Sequence, residues 1–227
     1  MNKDSSFSWI DKQNGTAFPI AKAGYPFIFF AGFSTLVFAL LHLTFLTLIA
    51  FIITCFICYF FRDPDRLIPN DKNSVVSPAD GKIIIVQQIP KSLYYDTPCL
   101  KISIFMSVFN VHVNRIPYDG VVTKIIYNPG KFFSANLDKA SKDNEQNAVV
   151  LETKSKQQIC FVQVAGLIAR RIICNIQKGD EVQKGERFGM ICFGSRLDVY
   201  LPPDSTPKVS VGDNVYSGTS ILAELKE

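Results

Sequence analysis

The chain is organised around the stretch Ile191-Cys192-Phe193-Gly194-Ser195-Arg196-Leu197-Asp198-Val199-Tyr200-Leu201, near its C-terminal end. Two apolar, strand-like runs meet there at a Gly-Ser pair. Glycine tolerates backbone angles that other residues avoid, so a Gly-Ser junction between strands is normally a bulge or a turn. The alternative is that the peptide bond after Gly194 is a reaction site, since its carbonyl is unhindered and Ser195 carries a hydroxyl beside it.

Most of the chain around this stretch has the pattern of antiparallel β-structure. Short runs rich in Ile and Val are separated by turns containing Pro, Gly, Asn or Asp. Further strands are predicted over residues 75–76, 82–87, 100–105, 120–127, 148–152, 158–164 and 169–176. Only residues 136–144 have the pattern of a brief helix. The fold class expected for residues 62–227 is therefore mainly β, with antiparallel strands.

Two internal repeats refine this prediction. The turn Pro78-Ala79-Asp80-Gly81 is repeated as Pro117-Tyr118-Asp119-Gly120, and a β run follows each. The hairpin Gly179-Asp180-Glu181-Val182-Gln183-Lys184-Gly185 is repeated 33 residues later as Gly212-Asp213-Asn214-Val215-Tyr216-Ser217-Gly218. Paired hairpins of this type resemble the barrel-sandwich hybrids of biotinyl and lipoyl carrier domains. No lysine stands on a hairpin tip between Met or Asp, so the repeats predict that topology and not a carrier function.

A long apolar segment precedes the β region. Residues 1–26 form a polar segment. The 35 residues that follow, 27–61, contain no Asp, Glu, Lys or Arg. One helix of that length would reach about 50 Å, against a bilayer core of roughly 30 Å. We therefore expect two apolar helices with a break near Leu41-His42-Leu43-Thr44. Positive residues flank both ends, namely Lys12, Lys22, Arg62 and Arg66, which favours a hairpin in or across the membrane with both ends in the cytoplasm.

Composition excludes several other classes. Lys and Arg are scattered and the net charge is only +4, so nucleic acid is not an expected partner. Six cysteines in 227 residues do not indicate a disulfide scaffold, and Cys55 and Cys58 form a CxxC without the second pair that a zinc site needs. We expect reduced cysteines and no metal.

Candidate catalytic residues are few. His112 is the only histidine outside the apolar segment, so a proton transfer by histidine near neutral pH has to use it. A histidine in a strand is more often structural. Asp80 and Asp119 are equivalent by turn chemistry, and either one singly is explained by capping of its turn.

Six short motifs follow one another along the chain: Phe61-Arg62-Asp63-Pro64, Ser77-Pro78-Ala79-Asp80-Gly81, His112-Val113-Asn114-Arg115-Ile116-Pro117, Ala169-Arg170-Arg171-Ile172, Gly179-Asp180 through Lys184-Gly185-Glu186, and Phe193-Gly194-Ser195-Arg196. In this order they resemble the short form of phosphatidylserine decarboxylase. Any one of them is weak evidence. The ordered set, behind an apolar hairpin, extends the resemblance from that hairpin to the C-terminus.

The resemblance implies a proenzyme that cuts itself without hydrolysis between Gly194 and Ser195. The products are a β chain of residues 1–194 and an α chain of residues 195–227, which stay together as a heterodimer. Ser195 attacks the Gly194 carbonyl, and β-elimination then converts the serine into a pyruvoyl group. The resemblance assigns the base relay to Asp80 and His112, with Asp80 holding the imidazole and His112 taking the proton.

The implied reaction is decarboxylation of phosphatidylserine to phosphatidylethanolamine in phospholipid biosynthesis. The pyruvoyl ketone formed from Ser195 makes a Schiff base with the serine headgroup and withdraws electrons as carbon dioxide leaves. His112 is the expected acid for reprotonation. Arg115, Arg170 and Arg171 are candidates for binding the lipid phosphate. The implied location is the cytoplasmic side of the cell membrane, with peripheral or monotopic attachment through residues 27–61.

The chain departs from the family pattern at two places. Longer members carry a second histidine where this chain has Arg115, so His112 alone has to serve as base and acid. In Asn144-Glu145-Gln146-Asn147 the family pattern usually has Arg at the third place, and Gln146 is left out of the predicted site. Two alternatives stay open: a membrane-anchored adaptor without activity, and a pyruvoyl decarboxylase that acts on a soluble amino acid.

Overall fold

The computed structural model describes residues 7–8, 19–130, 144–166, 172–192 and 194–226. The helix predicted over residues 136–144 lies outside this part of the chain, except for Asn144. Two compact units are formed, one within Gln13–Asp65 and one by Met1–Lys12 together with Arg66–Glu227.

The first unit is a pair of apolar helices. A 3-10 turn at Lys22–Gly24 leads into α1, Tyr25–Leu40, and α2 spans Thr44–Phe60. His42 lies between them with a φ of +56°, the left-handed backbone that reverses the chain. The predicted helix pair and its break are therefore confirmed.

The two helices pack against each other along the pair. The hydroxyls of Thr35 and Thr54 lie 3.1 Å apart and join the two helices, and the rings of Phe27 and Phe61 stack. No residue of α1 is buried, although nearly all of them are apolar. By length and composition the helical stretch Lys22–Leu40 is sufficient to cross a bilayer, whereas α2 is shorter. Exposed apolar surface of this extent is compatible with membrane association.

The second unit is built from β-strands that pair antiparallel throughout. They are β1 Phe7–Ser8, β2 Ile68–Pro69, β3 Ser74–Val76, β4 Gly81–Ile89, β5 Cys99–Met106, β6 Val113–Arg115, β7 Gly120–Asn128, β8 Gln146–Glu152, β9 Gln158–Ala165, β10 Ile172–Cys174, β11 Glu181–Val182, β12 Arg187–Ile191, β13 Ser195–Leu201, β14 Thr206–Pro207, β15 Asn214–Val215 and β16 Ile221–Glu224. An eight-stranded sheet has the order β11-β7-β8-β9-β13-β5-β4-β15. The smaller sheets are β10-β12-β6, β14-β16-β3 and β1-β2. The predicted mainly β, antiparallel fold class is confirmed.

The two sequence repeats occupy matching places in this sheet. The hairpins that contain β11 and β15 close its two ends, on β7 and β4 respectively. In each hairpin, a backbone amide donates to the aspartate of the repeated turn: Lys184 to Asp119 at 2.6 Å and Ser217 to Asp80 at 2.8 Å. Asp80 and Asp119 therefore have the same structural role, which explains why the turn motif is repeated.

A main core fills one side of the eight-stranded sheet and a second cluster covers the other. The main core contains Ile104, Phe161 and Leu197 from three adjacent strands. The second cluster contains Tyr95, Cys160 and Tyr200 with Tyr94 packed against it. Because successive residues of a strand face opposite sides, β13 contributes to both.

We expect the second cluster to make the protein sensitive to alkali. Burial, followed by the nearby Cys160, raises the pKa of Tyr94 from 10.0 to about 12, and burial also raises the pKa of Tyr95 and Tyr200. These groups bind protons more strongly when folded, so their stabilisation is complete below pH 10 and is lost as the pH rises through their folded pKa. Thermal unfolding from pH 8 to 12 should show Tm falling above pH 10, and less steeply in Tyr94→Phe. Tyr216→Phe, which removes an exposed hydroxyl, is the control; an identical pH profile for Tyr94→Phe and the parent would contradict this account.

Candidate active site

Ser195 lies at the beginning of β13, the strand between β9 and β5. It is paired with Ala165 on one side and Met106 on the other, and it has no exposed surface. Its Oγ lies 3.3 Å from the sulfur of Met106, a weak acceptor that leaves the hydroxyl largely uncommitted.

Gly194 has the backbone conformation that the junction requires. Its φ is +56°, in the region that favours glycine, and a Cβ at this position would meet no heavy atom of the described residues within 4 Å. The kink predicted from the Gly-Ser pair is therefore present, and the described residues beyond the chain neighbours leave open the side where a Cβ would stand. The neighbouring Phe193 lies outside the described residues.

His112 is fully buried just before β6. Its Nδ1 lies 2.9 Å from the carbonyl oxygen of Asn110. Since a carbonyl oxygen only accepts, Nδ1 carries the proton, and in the neutral ring Nε2 is then the basic nitrogen. The Asn110 side chain accepts hydrogen bonds from the amide and the hydroxyl of Ser107, each at 2.8 Å, which fixes the turn that carries this carbonyl.

The His112 segment and Ser195 meet at one sulfur atom. Asn114, two residues after His112, places its Nδ2 3.9 Å from the sulfur of Met106, which Ser195 Oγ also contacts. Backbone hydrogen bonds join the same segment to the Asp80 turn, where the Arg115 amide donates to Pro78 O at 2.9 Å. The structure thus assembles three of the sequence motifs into one region.

Asp80 is buried and holds two partners. Its Oδ1 accepts from the Ser217 amide and its Oδ2 from the Arg66 guanidinium, both at 2.8 Å. The hydrogen-bond geometry found for His112 Nδ1 involves the Asn110 carbonyl and not this carboxylate. Arg66 was noted in the sequence only as a flanking positive charge, and its contact with Asp80 had no signal beyond that charge.

Of the three arginines predicted to bind phosphate, only Arg115 lies among the described residues. Arg115 is 2% exposed, and its Nη1 donates to the carbonyl oxygen of Gly185 at 2.9 Å. Its charge is therefore directed into the protein, where it ties the β6 segment to a repeated hairpin. Arg170 and Arg171 lie outside the described residues. Among the residues that are described, no group of three or more His, Cys, Asp or Glu is arranged to hold a metal.

Comparison with known proteins decides the family. The family model described as phosphatidylserine decarboxylase matches residues 53–223, which include every candidate residue named above. The chain belongs to the phosphatidylserine decarboxylase family. It is 52% identical to the phosphatidylserine decarboxylase proenzyme of Desulfotalea psychrophila over 91% of this chain and 97% of that protein. The proenzymes of Syntrophus aciditrophicus and Geotalea uraniireducens are 49% and 50% identical, over 89% and 91% of this chain and 96% and 97% of theirs.

One departure from the phosphatidylserine decarboxylase pattern now has a structural setting. Gln146, at the place of the usual arginine, is 3% exposed, and its Oε1 accepts from the Tyr94 hydroxyl at 3.0 Å. The neutral amide is therefore part of the second cluster.

A buried charge cluster follows the Gly-Ser junction and was missed by the sequence interpretation. Arg196 and Asp198 are two residues apart on β13. The guanidinium donates from Nη2 to Oδ2 of the carboxylate at 3.0 Å, and its Nε lies 2.8 Å from Oδ1 in the same ion pair. Lys101 on β5 lies 3.3 Å from the same carboxylate. Arg196 and Asp198 are at most 1% exposed. The alternation of Arg196, Leu197 and Asp198 was the available signal, because i and i+2 share a face of a strand.

Asp198→Ala is expected to lower the free energy of unfolding by about 3–5 kcal/mol, since it leaves Arg196 buried without its carboxylate. Urea unfolding in detergent measures this value. Lys91→Ala breaks an exposed pair with Asp96 and serves as the control, with an expected change of about 0–1 kcal/mol. Equal effects of the two substitutions would show that the buried cluster does not stabilise β13.

Proposed function

We propose that this chain is a membrane-associated enzyme that converts phosphatidylserine to phosphatidylethanolamine after breaking its own Gly194–Ser195 bond. One observation carries the proposal: a fully buried serine follows a glycine in the left-handed conformation, and within the described part of the chain its hydroxyl contacts only a thioether. Membership of the phosphatidylserine decarboxylase family supplies the substrate class.

Self-cleavage begins with an acyl shift from nitrogen to oxygen. Ser195 Oγ attacks the Gly194 carbonyl carbon, the peptide C–N bond breaks, an ester forms, and the hydroxyl proton passes to the leaving amine. Removal of the proton on Cα of residue 195 then breaks the Cβ–Oγ bond and releases the Gly194 carboxylate. Water replaces the nitrogen of the resulting dehydroamino acid, ammonia leaves, and residue 195 becomes a pyruvoyl group.

His112 is the proposed base. The Asn110 carbonyl holds the proton on Nδ1, so Nε2 is the nitrogen able to take the Ser195 proton. The same group is the proposed acid for reprotonation of the product. Its burial keeps bulk water from competing for the proton.

Asp80 is the proposed second member of the base relay, and it is linked to the segment that carries His112. Its turn is bonded to that segment through the Arg115 amide and Pro78 O. To hold the imidazole directly, an Asp80 carboxylate oxygen would have to give up its hydrogen bond from Arg66 or Ser217 and accept one from the His112 ring instead. Arg66 and Ser217 are therefore proposed to set the position of Asp80.

The pyruvoyl group, once formed, supplies a ketone that condenses with the serine amine and accepts the electrons left by departing carbon dioxide. The protein around it is suited to keep the two cleaved chains together. The proposed α chain, residues 195–227, contributes β13 to the middle of the eight-stranded sheet and β16 to a second sheet. These ladders support a stable heterodimer without a covalent link.

Membrane location follows from the substrate and the helix pair. A diacyl lipid stays in the bilayer, so the site has to work at its surface. The apolar helix Lys22–Leu40 and the charges flanking the pair support attachment at the cytoplasmic face of the cell membrane. Arg170 and Arg171 are proposed to meet the lipid phosphate, and Arg115 is a candidate only if it leaves Gly185.

The deciding assay compares substrates. Purified protein should release carbon dioxide from phosphatidylserine in mixed micelles and none above background from free serine. Activity on free serine alone would favour the soluble amino acid alternative. No activity on either substrate, from a folded chain that remains intact, would favour a membrane-anchored adaptor.

A further inference from the structure

Three buried side-chain amides are hydrogen-bonded in a row that ends at the sulfur of Met106, the atom that Ser195 Oγ also contacts. Asn147 on β8 donates from Nδ2 to Gln163 Oε1 at 3.1 Å. Gln163 on β9 donates from Nε2 to Asn114 Oδ1 at 2.9 Å, and its Nε2 also lies 3.3 Å from Ile173 O. All three amides are at most 4% exposed. Buried polar groups are costly unless they are satisfied, so a chain of this kind inside a core needs a reason.

The hydrogen bonds fix which way each amide points. Gln163 Oε1 accepts from Asn147, so its Nε2 faces Asn114. Asn114 then has to present Oδ1 to Gln163, which leaves Nδ2 facing the sulfur of Met106. Gly189 permits this arrangement, since a Cβ there would lie 3.1 Å from Gln163 Nε2 and 2.2 Å from Ile173 O.

The last donor in this row of amides, Asn114 Nδ2, has a poor hydrogen-bond acceptor. Asn114 is fully buried, yet the contact found for its Nδ2 is a thioether sulfur at 3.9 Å, a weak acceptor. Ser195 Oγ lies 3.3 Å from the same sulfur. A directed amide donor and the hydroxyl that attacks in the proposed cleavage therefore contact the same sulfur atom, and among the described residues no strong acceptor is found for this donor.

We propose that Asn114 Nδ2 donates a hydrogen bond to the oxyanion that forms on the Gly194 carbonyl when Ser195 attacks it. In that step the carbonyl carbon forms a bond to Oγ. The former carbonyl oxygen then carries the negative charge and is attached to the same carbon as Oγ. A preorganised neutral donor stabilises such charge without having to reorganise. Gln163 and Asn147 are positioning residues that hold the Asn114 amide in the donating orientation. This inference rests on the proposed self-cleavage.

The test follows cleavage of freshly synthesised or refolded precursor by the appearance of the 195–227 fragment. Asn114→Leu keeps the branched shape of the side chain and removes the donor, and Asn114→Ala removes the branch together with the donor. Gln163 retains Ile173 O as an acceptor in either variant. Asn147→Leu makes the same exchange at the far end of the amide chain and is the matched control. Thermal unfolding of each precursor identifies the folded variants that are compared.

Removal of the donor should slow cleavage about 100- to 1,000-fold. Asn147→Leu should slow it only a few-fold, even where its Tm falls as much as that of Asn114→Leu. Hydroxylamine cleaves esters, and it should release little fragment from the Asn114 variants because the ester forms slowly in them.

Cleavage of a folded Asn114 variant at the parent's rate would overturn the proposal. So would equal slowing in Asn147→Leu, or rapid release by hydroxylamine, which would show that the ester forms normally. A parent chain that never cuts at residue 194 would instead refute the proposed function itself.

Discussion

Ser195→Ala is expected to give one intact chain with no decarboxylase activity. The substitution removes the Oγ that is proposed both to attack Gly194 and to leave when the pyruvoyl group forms, so the proposed route to the ketone is closed. The fold should survive, because the contact that Oγ makes with the described residues is a weak one to a thioether at the beginning of β13. Gel separation under denaturing conditions and release of carbon dioxide from phosphatidylserine measure the two effects.

Ser103→Ala is the matched control for this experiment. Ser103 is also buried in the eight-stranded sheet, on β5, and its hydroxyl has no hydrogen-bond partner among the described residues. The control should cleave and decarboxylate like the parent. Formation of the two fragments in Ser195→Ala would remove Ser195 from the mechanism.

His112→Ala is expected to slow self-cleavage by about 100- to 10,000-fold, the usual contribution of a general base. The imidazole is buried with Nδ1 bound to Asn110 O, so its loss removes the proposed proton acceptor and leaves a cavity. The rate of fragment formation from folded precursor measures the effect, and Tm separates it from loss of the fold.

The second histidine provides the control for His112. His42 lies in the turn between α1 and α2 with a positive φ, and asparagine tolerates that backbone. His42→Asn should therefore cleave at the parent's rate. Efficient cleavage in folded His112→Ala would assign the base to another group.

The strands were predictable wherever Ile and Val form runs between turn residues. The predictions for β4, β5, β7, β8 and β9 lie inside the observed strands. The break between the apolar helices followed from length alone, because one helix would be too long for a bilayer. Local patterns of this kind determine the elements and their approximate ends.

Most contacts of the candidate site were beyond sequence reasoning because they join distant parts of the chain. Asp80 and Ser217 are 137 residues apart, and Ser195 and Met106 are 89 apart. Two-residue strands such as β11 and β15 carry no periodicity, so only the sequence repeat indicated them. The Asn110 carbonyl that orients His112 is a backbone group, and its position cannot be predicted from the residue type.

The mass of the purified protein under denaturing conditions distinguishes a self-cleaved protein from an intact one. We expect two chains that meet after Gly194, and the shorter one, residues 195–227, should lack a free amino terminus because a ketoacyl group replaces it. A single unbroken chain of 227 residues, in a preparation shown to be folded, would contradict this expectation.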